Sequence, residues 1–446
     1  MQLTAPRRIR DSLTVATCSL LSLDAAHAGY FDYDSLWNVD TAVLLYSEKN
    51  RVDVVEPVLQ IKKEIGEGEF VTVKFVYDAM SGSTPNGAAP SSAPQTFSGA
   101  SGQSSYTTAA HDLPLVAFED NRVAVSVDWE LPTSRGSRSQ YNVNFSTEKD
   151  YTSLGASASF LWDVNNKLTT LTAGVAANLD LVSPTGGAPV GLSTLGTTPS
   201  TANNRRVESE VAGESEGGGE NGDDGKRKTG YDLLIGVTQV LTRRTLMQLN
   251  YSFGNSSGYL TDPYKIMSVV DGSSGVPVSA PGGGSLYLHE KRPDTRSRNA
   301  LYWKTVYHLP EDVVHISYRY YWDDWDIKSN TVDLTYRLQL GTHFYLEPHY
   351  RYYTQTAANF FTHAILSGNT PTYASADLRL AALQSNTVGL RIAHQWDADA
   401  SWGLGVDYMH QTGNAHPASA VGALKSEALF TDLKTISVTA DISVKF

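Results

Sequence analysis

Apolar and polar side chains alternate without a break over the last eleven residues. Ile436, Val438, Ala440, Ile442, Val444 and Phe446 fall on one face, and Ser437, Thr439, Asp441, Ser443 and Lys445 on the other. A period of two marks a strand lying between two different surroundings, because successive side chains point to opposite faces. The same period recurs in Val123, Val125, Val127, Trp129 and Leu131, in Leu171, Ala173, Val175, Ala177 and Leu179, and in Val332, Leu334, Tyr336, Leu338 and Leu340. Sixteen such strands are predicted, near 37–47, 52–64, 70–79, 121–131, 140–148, 151–162, 168–180, 230–241, 244–254, 298–309, 312–322, 327–340, 343–354, 386–396, 401–411 and 435–446. The second is the least regular, since Pro57 has no N–H to give to a ladder.

The connections provide an independent test. Those after even-numbered strands are all short, while every long one, at 80–120, 181–229, 255–297, 355–385 and 412–434, falls in the other class. That segregation is what a transmembrane up-and-down antiparallel β-barrel requires, with both termini periplasmic and the long loops outside. No run of about 18 apolar residues exists that could span a membrane as a helix, so any spanning falls to strands. With 24 Tyr and 36 Gly in 446 residues, composition favours girdled strands and turns.

The first 28 residues read as an export signal. Arg7, Arg8 and Arg10 precede an apolar stretch from Leu13 to Leu23, and Ala26-His27-Ala28 forms a cleavage site before Gly29. The expected organisation is therefore a signal peptide, 1–28, and one barrel domain, 29–446. The only cysteine, Cys18, lies in the signal, which leaves the mature chain without a disulfide or thiolate ligand. Net charge is −12, and removing three arginines and two carboxylates with the signal makes it −13. So acidic a chain is no bulk nucleic-acid binder. The span 181–229 is rich in Gly, Ser and Thr, then acidic from Glu208 to Asp224, and closes on Lys226, Arg227 and Lys228. It reads as a mobile solvated loop, lacking the ligand spacing of a calcium loop. The 80–120 segment, rich in Ser, Gly, Ala and Pro, reads the same way.

Several local motifs are similar to an uncharacterised family of proteobacterial outer-membrane proteins, domain of unknown function 3570. They include Val54-Val55-Glu56-Pro57, Glu148-Lys149-Asp150-Tyr151, the run Ser257-Gly258-Tyr259-Leu260-Thr261-Asp262-Pro263-Tyr264-Lys265, Glu290-Lys291-Arg292-Pro293-Asp294, and Ser317-Tyr318-Arg319-Tyr320-Tyr321-Trp322-Asp323-Asp324-Trp325. The resemblance covers essentially the whole mature chain. It implies a barrel of unassigned function, with no catalytic residues to carry over.

Candidate chemistry lies on the polar faces. The face alternation turns Lys304, His315, Arg319, Asp333, Arg337, Glu347, His349, Arg351, Arg391 and Asp407 toward the lumen, together with Asp441. Arg319, Arg337, Arg351 and Arg391 come one from each of four consecutive strands. Basic groups facing carboxylates in a water-filled pore select solutes by charge and size; the competing reading is that these groups pair with one another as wall structure. His343, Glu347 and His349 share a strand face, but neighbours two apart are separated by roughly 6.5 Å, too far for chelation at about 2 Å. Asp323, Asp324 and Asp326 are expected to pair with Arg296 and Arg298, and Tyr320, Trp322 and Trp325 to sit in an interfacial aromatic girdle. No G-x-S-x-G, H-E-x-x-H, P-loop or haem-attachment motif is present, so no enzyme, cofactor or metal is expected.

These patterns point to an outer-membrane, porin-like channel for small polar or charged solutes. The alternative is a structural or interaction barrel plugged by its loops or by a periplasmic partner. Expected partners are outer-membrane lipid and lipopolysaccharide, and the barrel-assembly machinery, reached through the strand ending at Phe446. The sequence fixes neither a solute nor an oligomeric state.

Overall fold

A computed structural model describes residues 37–98, 105–134, 136–195, 225–280, 284–369 and 371–445. The export signal, Cys18, the acidic run Glu208 to Asp224 and Phe446 lie outside the described residues. The dominant element is a closed antiparallel barrel of sixteen strands. They are β1 (Trp37–Glu48), β2 (Val52–Gly66), β3 (Glu69–Pro85), β4 (Leu115–Ser134), β5 (Ser137–Thr147), β6 (Tyr151–Val164), β7 (Thr169–Val182) and β8 (Lys226–Thr242). The second half comprises β9 (Thr245–Gly258), β10 (Thr295–His308), β11 (Val313–Asp323), β12 (Lys328–Leu340), β13 (Phe344–Gln355), β14 (Leu383–Gln395), β15 (Ala400–Gly413) and β16 (Leu433–Lys445). Each strand pairs with its sequence neighbours, and β1 closes the ring on β16, from Asn38 opposite Lys445 to Glu48 opposite Thr435. Both ends of this described chain therefore share a rim with the short turns. At the β6–β7 turn, Asn165, Asn166 and Lys167 all take positive φ, a conformation asparagine tolerates better than most side chains.

The strands turn their apolar faces outward. Val143 is 54 % exposed, Ile235 60 %, Val388 60 % and Ile436 51 %, whereas Ser159, Asn142 and Gln248 on the inner face are buried. This inverts a soluble core and matches a wall with hydrocarbon outside and polar groups inside. Aromatic side chains border the belt at the turn side: Trp37, Trp129, Tyr141, Trp162, Tyr307 and Trp396 are all exposed. A second border lies toward the long loops. There an outward tyrosine hydroxyl donates to an asparagine on the partner strand, in Tyr77 to Asn121 (3.1 Å), Tyr251 to Asn299 (2.7 Å), Tyr318 to Asn330 (2.7 Å) and Tyr350 to Asn386 (2.9 Å). On β4, Trp129 and Asn121 are eight residues apart, which at about 3.3 Å per residue and a tilt near 40° makes the belt roughly 20 Å tall.

Pro57 is accommodated on β2 opposite Val43 of β1, while pairing toward β3 is interrupted at Glu56–Pro57. Glu347–Pro348 interrupts the pairing of β13 with β12 in the same way. Each proline thus breaks the ladder on one side only, as its missing N–H requires.

Three expectations are corrected. Lys226, Arg227 and Lys228 belong to β8 rather than to a loop, and β3 and β4 run on to Pro85 and back from Leu115. The 80–120 segment is not a solvated loop, since Ala88, Ala89 and Phe97 are buried at 2 %, 6 % and 1 % exposure. The reason is a partner that one segment cannot reveal. The described residues of the connections 86–114, 259–294, 356–382 and 414–432 pack together into a cap with its own apolar core. One cluster joins Ala89, Val270, Ala364, Ala420, Leu424 and Leu429, and another joins Leu260, Trp325, Ile327, Ala358, Phe360 and Leu380. Trp325 is therefore cap core, 2 % exposed with the Arg296 guanidinium 4.3 Å over its ring, not a girdle residue.

Candidate functional site: a charged lumen beneath a folded cap

All ten sequence-selected side chains lie on the strand face turned away from the apolar belt. Lys304 is on β10, His315 and Arg319 on β11, Asp333 and Arg337 on β12, Glu347, His349 and Arg351 on β13, Arg391 on β14 and Asp407 on β15. Four of them form one network across β12 to β15. His349 Nε2 is 3.1 Å from Asp333 and its Nδ1 2.9 Å from Asp407, so both ring nitrogens face carboxylates, a geometry only an imidazolium can satisfy with two donors. Arg351 Nε donates to the same Asp333 at 2.6 Å. Arg391 reaches past β15 to Asp441 on β16 through two bonds of 2.5 and 2.9 Å, the bidentate pairing that suits guanidinium to carboxylate. The Arg337 guanidinium lies 3.6 Å over the Tyr345 ring.

These long reaches depend on glycine. A Cβ on Gly389 would collide with the Asp407 carboxylate, and one on Gly403 with the Arg391 guanidinium. Both glycines face the lumen and leave a trough in which the charged side chains lie along the wall. The sequence identified the charged groups but not these seats, because an isolated glycine in a strand has several meanings.

The second assembly, a clasp within the cap, escaped the sequence reading as a site. The connection 259–294 leaves the wall between β9 and β10 and crosses the mouth. Its strand Ile266–Val270 is wholly buried, pairs with Tyr287–His289 and, in parallel, with Ile365–Leu366, and Ile266 N donates to Asn86 O just beyond β3 at 2.9 Å. β3 and β9 stand six strands apart in the ring of sixteen, so this segment bridges distant walls. At its feet lie Asp262, Lys265, Glu290 and Arg292, which meet Asp377 and Arg379 of the 356–382 connection. Glu290 is 0 % exposed, Asp262 2 %, Asp377 3 %, Lys265 4 % and Arg292 5 %. Arg292 donates to Asp377 at 2.9 Å and to Glu290 at 3.2 Å, Ser375 Oγ donates to Glu290, and Arg379 donates to Asp262 at 3.1 Å and to Asp377. Lys265 Nζ donates to the carbonyl of Pro85, at the end of β3.

Three carboxylates and three cations balance in this clasp, five of them buried and Arg379 reaching in from the exposed edge, as buried charge requires. Burial pushes the Asp262 and Glu290 carboxyls up. Burial also pushes Asp377 up, but Arg379, Lys265 and Arg292 outweigh it and hold that carboxyl well below the ordinary range. The runs Ser257 to Lys265 and Glu290 to Asp294 supplied four of the six charges. Nothing in them named Asp377 and Arg379 as partners. On the wall below, Arg296 pairs with Asp323 at 2.5 and 2.9 Å, as the sequence suggested. Arg298 instead approaches Asp232 of β8 at 3.7 Å.

A closed sixteen-stranded antiparallel barrel, apolar outside and charged within, is the architecture of outer-membrane β-barrel proteins. Within that class the chain belongs to the family described as a protein of unknown function, DUF3570, whose model matches residues 10–446. No curated protein matches it. Solved structures with a similar fold include a bacterial polysaccharide outer membrane secretin, 9 % identical, with 93 % of this chain and 100 % of that one covered and a TM-score of 0.43. The Pseudomonas putida toluene transporter TodX is 9 % identical over 93 % of this chain and 91 % of its own, with a TM-score of 0.39. A loop L8 deletion mutant of OmpT, an outer membrane protein of Vibrio cholerae, is 7 % identical over 91 % and 98 %, with a TM-score of 0.38.

Proposed function

We propose that this protein is a non-enzymatic passage for small polar or charged solutes across the bacterial outer membrane, with its long loops outside. The observation that carries the reading is the lumen wall. Sixteen strands suffice to enclose space for water, and the His349 and Arg391 networks bond from strand to strand along the wall, on glycine seats. In this reading the apolar belt contacts outer-membrane lipid and lipopolysaccharide, and β16 is the strand presented to the assembly machinery. Purified protein in a planar bilayer should give reproducible single-channel steps, and liposomes containing it should swell in small sugars or amino acids. Silence in both assays rejects the passage.

The alternative of a loop-plugged structural or interaction barrel is favoured by one observation, the 259–294 segment crossing the mouth. It predicts a silent bilayer, and capture of a periplasmic or envelope partner whose binding survives substitution of Arg391 or His349.

A further inference from the structure

We propose that the described residues of the 259–294 connection form a hinged lid over the lumen, and that the charge clasp of the buried Asp262, Lys265, Glu290, Arg292 and Asp377, closed at its edge by the more exposed Arg379, is the latch that holds it shut. The clasp ties the lid down at three separated places on the rim. Lys265 binds the Pro85 carbonyl at the end of β3, Asp262 and Glu290 stand at the lid's own feet between β9 and β10, and Arg292 and Asp262 engage Asp377 and Arg379 between β13 and β14. The strand Ile266–Val270 within the lid is uncharged. Ile266, Met267, Ser268, Val269 and Val270 are all buried, held against neighbouring loops by apolar contact and by short ladders of two or three residue pairs. Such contacts are weak singly and re-form readily. The clasp is different in kind, because removing one member strands its partners as unpaired buried charge, so the lid and latch release together. Gly258, at φ +107 with the Arg227 carbonyl where a Cβ would lie, sets the bend by which the chain leaves β9 at one foot of the lid.

The lid matters for transport only if the lumen conducts, so it rests on the proposed passage for its consequence and not for its existence. The test therefore uses two readouts. A reporter cysteine replaces Ser317, which faces the lumen on β11. Intact cells are then exposed to a bulky membrane-impermeant maleimide, and heat-modifiable migration confirms a folded barrel. Arg292→Met should accelerate labelling at least tenfold over the parent, whereas Arg292→Lys, which keeps the charge, should accelerate it far less. If Arg292→Met does not fold, Glu290→Gln takes its place.

A second pair of cysteines supplies the rescue. Lys291 and Ala374 exchange both backbone hydrogen bonds, at 2.9 and 2.8 Å, which places their Cα atoms near the separation a disulfide needs. Adding Lys291→Cys and Ala374→Cys to the latch variant should return labelling to the parent rate when oxidised, and reductant should release it. Labelling that is equally fast in the parent, unchanged in a folded latch variant, or indifferent to the disulfide overturns the lid. If the variants label as expected but every form is silent in planar bilayers, the lid stands and the passage fails.

Discussion

At the scale of single residues, the charged side chains divide into those that lie along the wall and those that hold the cap. Gly403 decides the first case. Gly403→Leu leaves no room for Arg391 over β15, so the guanidinium must release Asp441 and project inward. The expected result is a smaller single-channel conductance and a reversal potential shifted toward anion preference, measured in a KCl gradient. Arg292 decides the second. Arg292→Met leaves Glu290 and Asp377 with one fewer cation in a dry site and should destabilise the cap by about 3–5 kcal/mol, read as faster amide exchange in 259–294 and 356–382 while the barrel strands are unchanged. His363 adds a pH dependence. Burial lowers its pKa to about 4, against 6.5 for a free imidazole, so folding favours the neutral ring. The unfolded cap then binds more protons between those values. The contribution of this ring to cap stability is full above pH 6.5 and declines as the pH falls toward 4, by an amount of order 2–3 kcal/mol. His363→Gln should flatten that slope in a pH series of limited proteolysis. The charged residues of both assemblies stand plainly in the sequence. Which of them meet does not, because Arg292 and Asp377 are 85 positions apart and neither loop carries a periodic pattern.

At the scale of elements, the strands were legible because each faces two solvents. Membrane and lumen impose the period of two over residues 121–131 of β4 and along β16, so number, order and pairing followed from the pattern alone. The loops lacked such a signature. Residues 86–98 are mostly Ala, Ser, Gly and Pro, which read as solvated chain, yet Ala88 and Phe97 are buried against Ile266 and Tyr287 of a segment more than 150 residues away. Composition reports what a segment can bury by itself, not what another segment brings to it. The Glu-Pro steps on β2 and β13 show the same limit in miniature, since Pro57 weakened the pattern without abolishing the strand. Pro348→Val would restore an N–H facing β12 across from Tyr336. If backbone geometry there can close, the added bond is worth about 0.5–1.5 kcal/mol, and urea unfolding in detergent should shift to higher concentration. An unchanged or lowered midpoint would mean that the break itself is required by the shape of the wall.

At the scale of the whole molecule, the barrel has two storeys. The lower is a belt between the turn-side aromatics and the ring of Tyr–Asn pairs. The upper is a sleeve of the same strands whose outer face has turned polar, as in Ser81, Ser83, Glu119 and Asn255. β3 continues eight residues past Tyr77 and β4 six past Asn121, which raises the rim roughly 15–20 Å above the lipid surface. The cap sits on that raised collar. Its movements accordingly displace water and leave the acyl chains undisturbed, which frees the closure from the thickness, tension and fluidity of the bilayer. Reconstitution in lipids of shorter or longer chains should alter how deeply the barrel settles and leave the rate at which a lumen cysteine is reached the same.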